Sequence, residues 1–281
     1  MTAQWRDQIG RFGVWRPAGQ TTPDIAVGLE ALGYGAVWLG GSPSGDLAIV
    51  DRLLGAASNL TVGTSVVNMW KDDAATVAQS FARIEASFPH RFILGVGAGH
   101  PEATAEYASP YQTLATYVGH LLDAGVPHES VVLAALGPKV LSLTRDRTGG
   151  AIPYLVTPAH TKLAREILGP DRLLAPEQKV VLSTDLAEAR SLARRRVNPY
   201  LGLVNYTSNL RRLGFTDEDL ANGGSDALVD ALVAHGSSDQ VAAQLFAHLD
   251  AGADHVCVQL LTGSDTDPMP AYAELAAALG L

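Results

Sequence analysis

Arg91-Phe-Ile-Leu-Gly-Val-Gly-Ala-Gly-His100-Pro-Glu102 joins a short apolar run to three alternate glycines and a polar end. The run 92–96 has the length and composition of a buried strand. Glycine lets a backbone approach a flat ligand closely because it has no Cβ. Polar groups just past the end of a parallel strand are where α/β enzymes place their chemistry. The stretch therefore predicts a strand ending at a functional site, although a tight turn could need these glycines for its dihedrals alone.

The rest of the chain repeats this unit of strand and helix. Strands are predicted over 9–15, 36–39, 60–67, 92–96, 130–135, 152–156, 179–182 and 255–260. Helices are predicted over 23–32, 46–57, 74–88, 111–124, 139–147, 158–168, 185–196, 240–250 and 270–279, with a mostly helical stretch over 198–235. Thr22, Asp185 and Ser238 are the expected N-caps of three of these helices.

Strands that alternate with helices at this spacing predict parallel pairing with right-handed crossovers. Eight such units in 281 residues predict a (β/α)8 TIM barrel with a helical insertion between the seventh and eighth strands. No linker rich in Pro, Gly or Ser divides the chain, so residues 1–281 are expected to form a single domain. A doubly wound open sheet is the alternative fold.

Composition restricts the function. Apolar residues make up 47% of the chain, and the net charge of −9 argues against nucleic acid or an anionic membrane as partner. Cys257 is the single cysteine, so no intrachain disulfide can form, which suits a reducing cytosol. Residues 1–10 lack the apolar core of a signal peptide, and no run of about 18 apolar residues occurs. A cytoplasmic protein is expected.

The residues after each predicted strand exclude several kinds of chemistry. Glu102 is the one strong carboxylate there, so the paired acids of glycoside hydrolysis are missing, and it can equally be a helix-start carboxylate. No metal-ligand spacing, such as H-E-x-x-H, and no G-x-S-x-G elbow is present, and no metal site is expected. Glycines, tryptophans and small polar residues dominate instead, a composition that favours a planar, partly apolar cofactor.

The turn Ala135-Leu-Gly-Pro-Lys139 opens a predicted helix. Backbone N–H groups and the positive end of the helix dipole at such a turn can bind a phosphate. An ordinary helix start with proline in its first position has the same sequence.

Three blocks of sequence resemble a known family. Arg91 to His100, Thr61-Val-Gly-Thr-Ser-Val66 and Ala135 to Lys139 resemble the bacterial luciferase-like superfamily, and within it the actinobacterial oxidoreductases that use the deazaflavin coenzyme F420. The resemblance runs along essentially the whole chain. It implies a barrel that binds a flavin-like ring at the carboxyl ends of its strands.

The resemblance also implies roles for individual residues. A non-prolyl cis peptide, here Ser65-Val66, would lie behind the ring. The implied cofactor-binding residues are Ser65, Val66, Asn68, Gly97, Ala98, Gly99, His100, Gly137, Pro138 and Lys139. Many relatives carry an Asp or a His after the second strand, whereas this chain has Gly40-Gly41-Ser42, which puts an acid–base role there in doubt. The chain is also shorter than many relatives, so part of the usual lid could be missing.

The implied reaction is hydride transfer between F420 and a small organic substrate. His100 is the candidate catalytic proton donor, because an unperturbed histidine titrates near pH 6.5; a structural role in binding the cofactor's phosphate or ribityl chain is the alternative. Trp15 and Trp70 are candidates for the substrate pocket, or for plain packing. Cys257 is expected to be an inert core thiol.

Two other functions remain open. One is an FMN-dependent monooxygenase on the same barrel, which would need a reductase and access for oxygen. The other is a catalytically silent barrel that binds a flavin or deazaflavin. A homodimer is expected from the resemblance.

Overall fold

The computed structural model of the chain describes residues 2–99, 110–263 and 266–281. Within these ranges the strands form one curled, parallel sheet with helices packed around it. The strands are β1 (Phe12–Pro17), β2 (Ala36–Gly40), β3 (Thr61–Thr64), β4 (Val67–Asn68), β5 (Phe92–Gly97), β6 (Val131–Leu133), β7 (Gly150–Ala151), β8 (Leu173–Leu174), β9 (Glu177–Leu182), β10 (Val233–Gly236) and β11 (Val256–Leu260). The helices are α1 (Thr2–Ile9), α2 (Pro23–Ala31), α3 (Ala48–Ala56), α4 (Ala74–Ser87), α5 (Pro110–Asp123), α6 (Pro138–Arg147), α7 (Pro158–Leu168), α8 (Leu186–Val197), α9 (Val204–Arg212), α10 (Asp217–Leu220), α11 (Asp226–Leu232), α12 (Ser238–Asp250) and α13 (Met269–Leu279).

The last strand in the neighbour order, β8, continues into β9, which lies next to the other end of the order. The order runs β10-β9-β11-β1-β2-β3-β5-β6-β7-β8, with β4 beside β5. β8 leads into β9 after two residues, and the amides of Ala175 and Glu177 donate to the carbonyls of Ala151 and Pro153 at 2.9 and 2.8 Å. This curled parallel sheet is consistent with a TIM-barrel-like fold and confirms the predicted alternation of strands and helices.

The first strand begins later than predicted, because 9–15 does not form one element. α1 ends at Ile9, Gly10 follows with φ +62°, and β1 starts at Phe12. Trp5 and Ile9 lie four residues apart, so both side chains face the inner side of the sheet, where they pack with Trp38. The sequence prediction missed α1 because the apolar side chain of Ile9 fits a helix face as well as a strand.

The sixth and seventh strands also differ from their predicted ranges of 152–156 and 179–182. β7 ends at Ala151, β8 was not predicted, and β9 begins at Glu177. A Cβ on Gly150 would lie 2.3 Å from the carbonyl oxygen of Leu173, so this glycine permits close approach of β7 to β8.

Two predictions about helices need correction. The stretch 198–235 is mostly helical, as predicted, but its last three residues belong to β10 (Val233–Gly236), which pairs with β9. Ser237 rather than Ser238 is the N-cap of α12, because its side chain accepts from the amide of Gln240 while the Gln240 side chain accepts from Ser237 N. The N-caps predicted at Thr22 and Asp185 are confirmed.

Two buried histidines use their ring nitrogens in hydrogen bonds inside the fold. His255 Nε2 accepts from Trp38 Nε1 at 3.0 Å, and its Nδ1 lies 2.8 Å from the carbonyl oxygen of Gly10. His248 Nδ1 lies 2.8 Å from Oγ1 of Thr161. Burial lowers the pKa of each imidazole to about 4. The folded state therefore holds both rings neutral at a pH where the unfolded chain binds protons.

Stability is expected to fall as the pH falls from about 6.5 towards 4, because only the unfolded state protonates these histidines in that window. Each ring contributes roughly 3 kcal/mol to this loss over the full window. Urea unfolding at pH 7.5 and 5.0 measures it. A His248→Gln variant should show a shallower pH dependence, whereas His120→Gln, on the exposed face of α5, should keep the wild-type dependence. Equal slopes for all three proteins would contradict the assignment.

Candidate functional site

A cavity of about 820 Å³ opens at the carboxyl ends of the strands. A volume of this order accommodates a cofactor-sized molecule. The predicted site residues that line it are Trp15, Ser65, Val66, Asn68, Trp70, Ala98, Gly99 and Gly137. These residues lie in or after β1, β3, β4, β5 and β6, so the curled sheet brings together groups that are far apart in the sequence.

Other predicted residues lie elsewhere. Gly97, at the end of β5, is buried and lies outside the lining of the cavity. Pro138 and Lys139 form the exposed first turn of α6, next to Gly137. His100 and Glu102 lie outside the described residues. Their proposed roles stay predictions.

The cis peptide implied by the resemblance is present between Ser65 and Val66. It interrupts the third strand between β3 and β4, and both residues face the cavity. Trp15 Nε1 donates a hydrogen bond of 2.9 Å to Ser65 Oγ. This bond holds the bulge against the indole of β1, so Trp15, Ser65 and Val66 together form one wall of the cavity.

The glycines of the fourth predicted strand make room for this bulge. A Cβ on Gly95 would lie 1.8 Å from the carbonyl oxygen of Thr64, and one on Gly97 would lie 2.5 Å from Cγ2 of Val66. Gly99 is different, because its φ of +60° is a conformation that glycine adopts easily. Gly95 and Gly97 therefore allow close contact with Thr64 and Val66, whereas Gly99 allows a left-handed backbone conformation.

Packing also explains why Gly40, at the end of β2, has no side chain. A Cβ on Gly40 would lie 1.8 Å from Cζ2 of Trp15. The indole therefore occupies the space that an Asp or His side chain would need. Gly41 and Ser42 border the cavity beside it.

Three tyrosines, which the sequence analysis did not identify, form an aromatic wall. Tyr154, Tyr200 and Tyr206 all line the cavity, and the Tyr154 ring packs 5.4 Å from that of Trp15. Tyr200 donates a hydrogen bond to the Tyr154 hydroxyl at 3.1 Å, and Tyr154 donates to Gln259 Oε1 at 3.0 Å. Because β7 ends at Ala151, Tyr154 lies past its strand end; the predicted strand over 152–156 concealed this position.

A buried ion pair supports the aromatic wall. Lys179 Nζ lies 3.0 and 3.1 Å from the two carboxylate oxygens of Glu177, and both side chains are within 1% of complete burial. The ammonium also lies 3.7 Å from the centre of the Tyr154 ring. Burial raises the pKa of Glu177 and lowers the pKa of Lys179, and the attraction between the two charges opposes both shifts.

Glu177 also holds the backbone next to Tyr154. Its carboxylate accepts a hydrogen bond of 3.1 Å from the amide of Leu155. Leu155 has φ +55°, a left-handed conformation that costs energy for a branched side chain. The ion pair therefore positions Tyr154 in two ways. Lys179 contacts its ring, and Glu177 holds the backbone of Leu155, the next residue.

α9 supplies a polar wall that the sequence analysis also missed. Asn205, Ser208 and Arg212 line the cavity from this helix. Their spacing of three and four residues puts them on one helical face. The adjacent arginines at 211 and 212 were a visible signal, but only the packing of α9 reveals which of them faces the cavity.

His160 does not line the cavity and instead supports the turn that precedes α6. It is 2% exposed, and its Nε2 lies 2.9 Å from the carbonyl oxygen of Leu136. Burial lowers its pKa. The imidazole thus holds the backbone just before Gly137.

Cys257 lies in β11 and is fully buried. Burial raises the pKa of its thiol well above the usual value. Both observations agree with the predicted inert core thiol. In the ranges that the structure describes, no group of three or more His, Cys, Asp or Glu side chains is arranged to hold a metal ion. Likewise, no described helix is both long and apolar enough to cross a membrane.

The curled parallel sheet, with a cofactor-sized cavity at its strand ends and a cis bulge in the wall, defines an α/β enzyme of the TIM-barrel-like class. Residues 9–124 match the family model described as luciferase-like monooxygenase. This part of the chain is therefore similar to the luciferase-like family of oxidoreductases, in line with the resemblance found in its sequence. No curated protein matches it.

Solved structures share the fold over nearly the whole chain. An F420-dependent secondary alcohol dehydrogenase, in complex with an F420-acetone adduct, has 15% identity and a TM-score of 0.74, covering 96% of this chain and 98% of that one. The coenzyme F420-dependent tetrahydromethanopterin reductase of Methanopyrus kandleri has 14% identity and a TM-score of 0.67, with coverages of 96% and 98%. The oxygenating constituent of the FMN-bound 3,6-diketocamphane monooxygenase of Pseudomonas putida has 15% identity and a TM-score of 0.70, covering 95% of both chains.

Proposed function

We propose that the chain is an oxidoreductase that transfers a hydride between coenzyme F420 and a small organic substrate. The observation that carries the proposal is the cavity at the carboxyl ends of the strands, which is large enough for a flavin-like ring and is lined by the Ser65-Val66 bulge. Two of the structural neighbours are F420-dependent by description, and both have nearly the full length of this chain. The sheet would then be a (β/α)8 barrel of one domain, with its helical insertion before the eighth strand.

The residues around the cavity fit a flat, partly apolar ligand with a polar end. Val66, Ala98 and Trp15 offer apolar surface, while Asn68 and Ser65 offer hydrogen-bonding groups beside it. Bound there, a deazaflavin would supply two-electron hydride chemistry. The protein's part would be to fix the ring against the bulge and to exclude water with its tryptophan and tyrosine side chains.

The remaining site residues keep their proposed roles. Gly97, Gly99 and His100 would follow the side chain of the cofactor, and His100 would also donate or accept the substrate proton. Gly137, Pro138 and Lys139 would lie at its phosphate, at the start of α6. Trp70 and Trp15 would contact the substrate. We propose a cytoplasmic homodimer without nucleic-acid or membrane partners.

An FMN-dependent monooxygenase is the second candidate. It is favoured by the FMN-bound structure among the neighbours, whose TM-score of 0.70 lies between those of the two F420-dependent proteins. A barrel that binds its cofactor without turnover is the third.

Fluorescence titration of the purified protein with F420 and with FMN tests the proposal. We expect F420 to bind at micromolar concentration or tighter, and FMN to bind at least about tenfold more weakly, a difference of about 1.4 kcal/mol. The reverse order would support the monooxygenase. If neither ligand binds, the cofactor assignment is wrong.

A further inference from the structure

We propose that the aromatic wall of Tyr154, Tyr200 and Tyr206 is the substrate subsite of the cavity, and that it selects a neutral aryl ketone or the corresponding alcohol. The inference rests on the proposed function and deepens it, because it names the class of substrate. It assigns the substrate's ring to the surface of the wall and the substrate's oxygen to the hydroxyl of Tyr200.

The aromatic wall is a closely packed surface. The ring centre of Tyr154 lies 5.3 Å from that of Tyr200 and 6.4 Å from that of Tyr206, and the last two lie 5.0 Å apart. The three pairs of ring planes meet at 54°, 71° and 73°, so the rings support one another edge to face. Trp15 extends the surface, with its ring centre 5.4 Å from that of Tyr154. Such a prearranged aromatic surface binds a flat aromatic guest at a low cost in side-chain entropy.

The charges around the cavity favour a neutral guest. None of the described residues that line the cavity is an Asp or a Glu, so a cation would meet no described carboxylate. The ammonium of Lys179 already lies 3.7 Å from the ring centre of Tyr154 and 5.6 Å from that of Tyr200, so the wall is not an empty cage for a second cation. Arg212 is the single Lys or Arg in the described lining, and it is exposed on α9. A charge buried against the tyrosines would therefore lack a partner, which is costly.

A chain of hydroxyl groups gives the wall a donor for an oxygen atom. Tyr200 donates to the Tyr154 hydroxyl at 3.1 Å, and Tyr154 donates to Gln259 Oε1 at 3.0 Å. A phenol both donates and accepts, and its hydrogen can turn about the C–O bond. Tyr200 can thus turn its donor towards a ligand oxygen while Tyr154 keeps its bond to Gln259. A ketone oxygen accepts such a bond, and so does the hydroxyl of the corresponding alcohol.

Asn205 supplies the acceptor that an alcohol needs. It lines the cavity from α9, and its buried Oδ1 has no hydrogen-bond partner among the described residues. Such an atom costs free energy unless a bound group satisfies it. Tyr206, the next residue, belongs to the aromatic wall, so a donor, an acceptor and ring surface come from one short stretch, 200–206. These groups suit a ketone, which needs a donor, and its alcohol, which also needs an acceptor.

The test compares four small probes on the wild type by isothermal titration calorimetry. Acetophenone carries the aromatic ring and the oxygen, α-methylstyrene has a methylene group in place of the oxygen, cyclohexyl methyl ketone has a saturated ring, and benzylammonium carries a positive charge. The protein is saturated with oxidised F420, which has no hydride to give to a ketone, so binding is measured without turnover. We expect acetophenone to bind about threefold or more tighter than cyclohexyl methyl ketone and benzylammonium.

Variants separate the hydroxyl of Tyr200 from its ring. Tyr200→Phe should weaken acetophenone by about threefold to tenfold, because one neutral hydrogen bond is lost, and should leave α-methylstyrene and F420 within about twofold of their wild-type affinities. Tyr34→Phe is the matched control. It removes a hydroxyl that donates to the carbonyl oxygen of Tyr272 at 3.0 Å, and it precedes β2, at the end of the sheet opposite the cavity. This control should bind every probe as the wild type does.

The outcomes separate this inference from the proposed function. The inference is wrong, and the function stands, if acetophenone fails to bind at millimolar concentration or binds no tighter than the saturated ketone or the cation. It is equally wrong if Tyr200→Phe weakens α-methylstyrene as much as acetophenone. Loss of F420 affinity in Tyr200→Phe by the same factor would assign the wall to the cofactor instead. If the wild type binds no F420, the proposed function fails, and the free protein is titrated; a lack of preference for acetophenone there overturns both.

Discussion

Replacing Lys179 with methionine is expected to lower the free energy of unfolding by about 3–5 kcal/mol at pH 7. The variant would leave the carboxylate of Glu177 buried without its counterion. It would also remove the ammonium that lies 3.7 Å from the Tyr154 ring. Urea unfolding monitored by circular dichroism measures the change.

Two further variants show whether the unpaired charge causes the loss. Lys162→Met makes the same substitution at an exposed position of α7, and it should change the stability by less than about 0.5 kcal/mol. A double variant, Glu177→Met with Lys179→Met, removes both charges and should recover part of the lost stability, because a buried pair is costly to desolvate. A single variant as stable as the wild type would show that the pair is not held as two charges.

The ion pair also shows where sequence reasoning reaches its limit. Glu177 and Lys179 lie two residues apart on one face of β9, and two charges on one face of a strand indicate a face in water. In the fold that face points inward, and each charge is buried because the other is there. Neither residue alone carries this information, since their burial depends on the curling of the whole sheet.

The parts that sequence could predict are those that depend on local pattern. Apolar runs bounded by glycine located strands such as β2 and β5, and Thr22 and Asp185 marked helix starts. Strand ends in a parallel sheet share one edge, so the residues placed after β3 and β5 were correctly expected to lie together. The tyrosines of the cavity wall and Arg212 reach it through long-range packing, which no local pattern encodes.

Gly95 illustrates how one observation in the sequence had a different physical cause in the fold. The glycine pattern was predicted to let a ligand approach the backbone, whereas in the fold Gly95 lets two strands approach each other. Gly95 lies under β3, where Thr64 Oγ1 donates to Gly95 O and accepts from Gly95 N, both at 2.8 Å. Because Gly95 has no side chain, β3 and β5 can lie in close contact. This contact fixes the position of the bulge at Ser65-Val66.

A Gly95→Ala variant is therefore expected to be destabilised by about 3 kcal/mol and to lose at least about tenfold in F420 affinity. The added Cβ would lie 1.8 Å from the carbonyl oxygen of Thr64, a backbone atom, so β3 must move away from β5. That movement breaks the paired hydrogen bonds of Thr64 and shifts Val66 in the cavity wall. Urea unfolding and F420 titration of the same sample measure the two effects.

Gly55→Ala is the matched control, because it adds the same methyl group on the exposed side of α3. Its Cβ would meet Cζ of Phe88 at 3.8 Å, an ordinary contact, and alanine favours a helix over glycine by roughly 1 kcal/mol. The control should therefore be at least as stable as the wild type and bind F420 unchanged. If Gly95→Ala keeps its stability but no longer binds F420, the methyl group must project towards the ligand. Gly95 would then be needed for the close approach of the cofactor to the backbone. If Gly95→Ala is less stable as well as weaker in F420 binding, the cavity depends on Gly95 through the position of β3. The position of β3 in turn fixes the Ser65-Val66 bulge in the cavity wall.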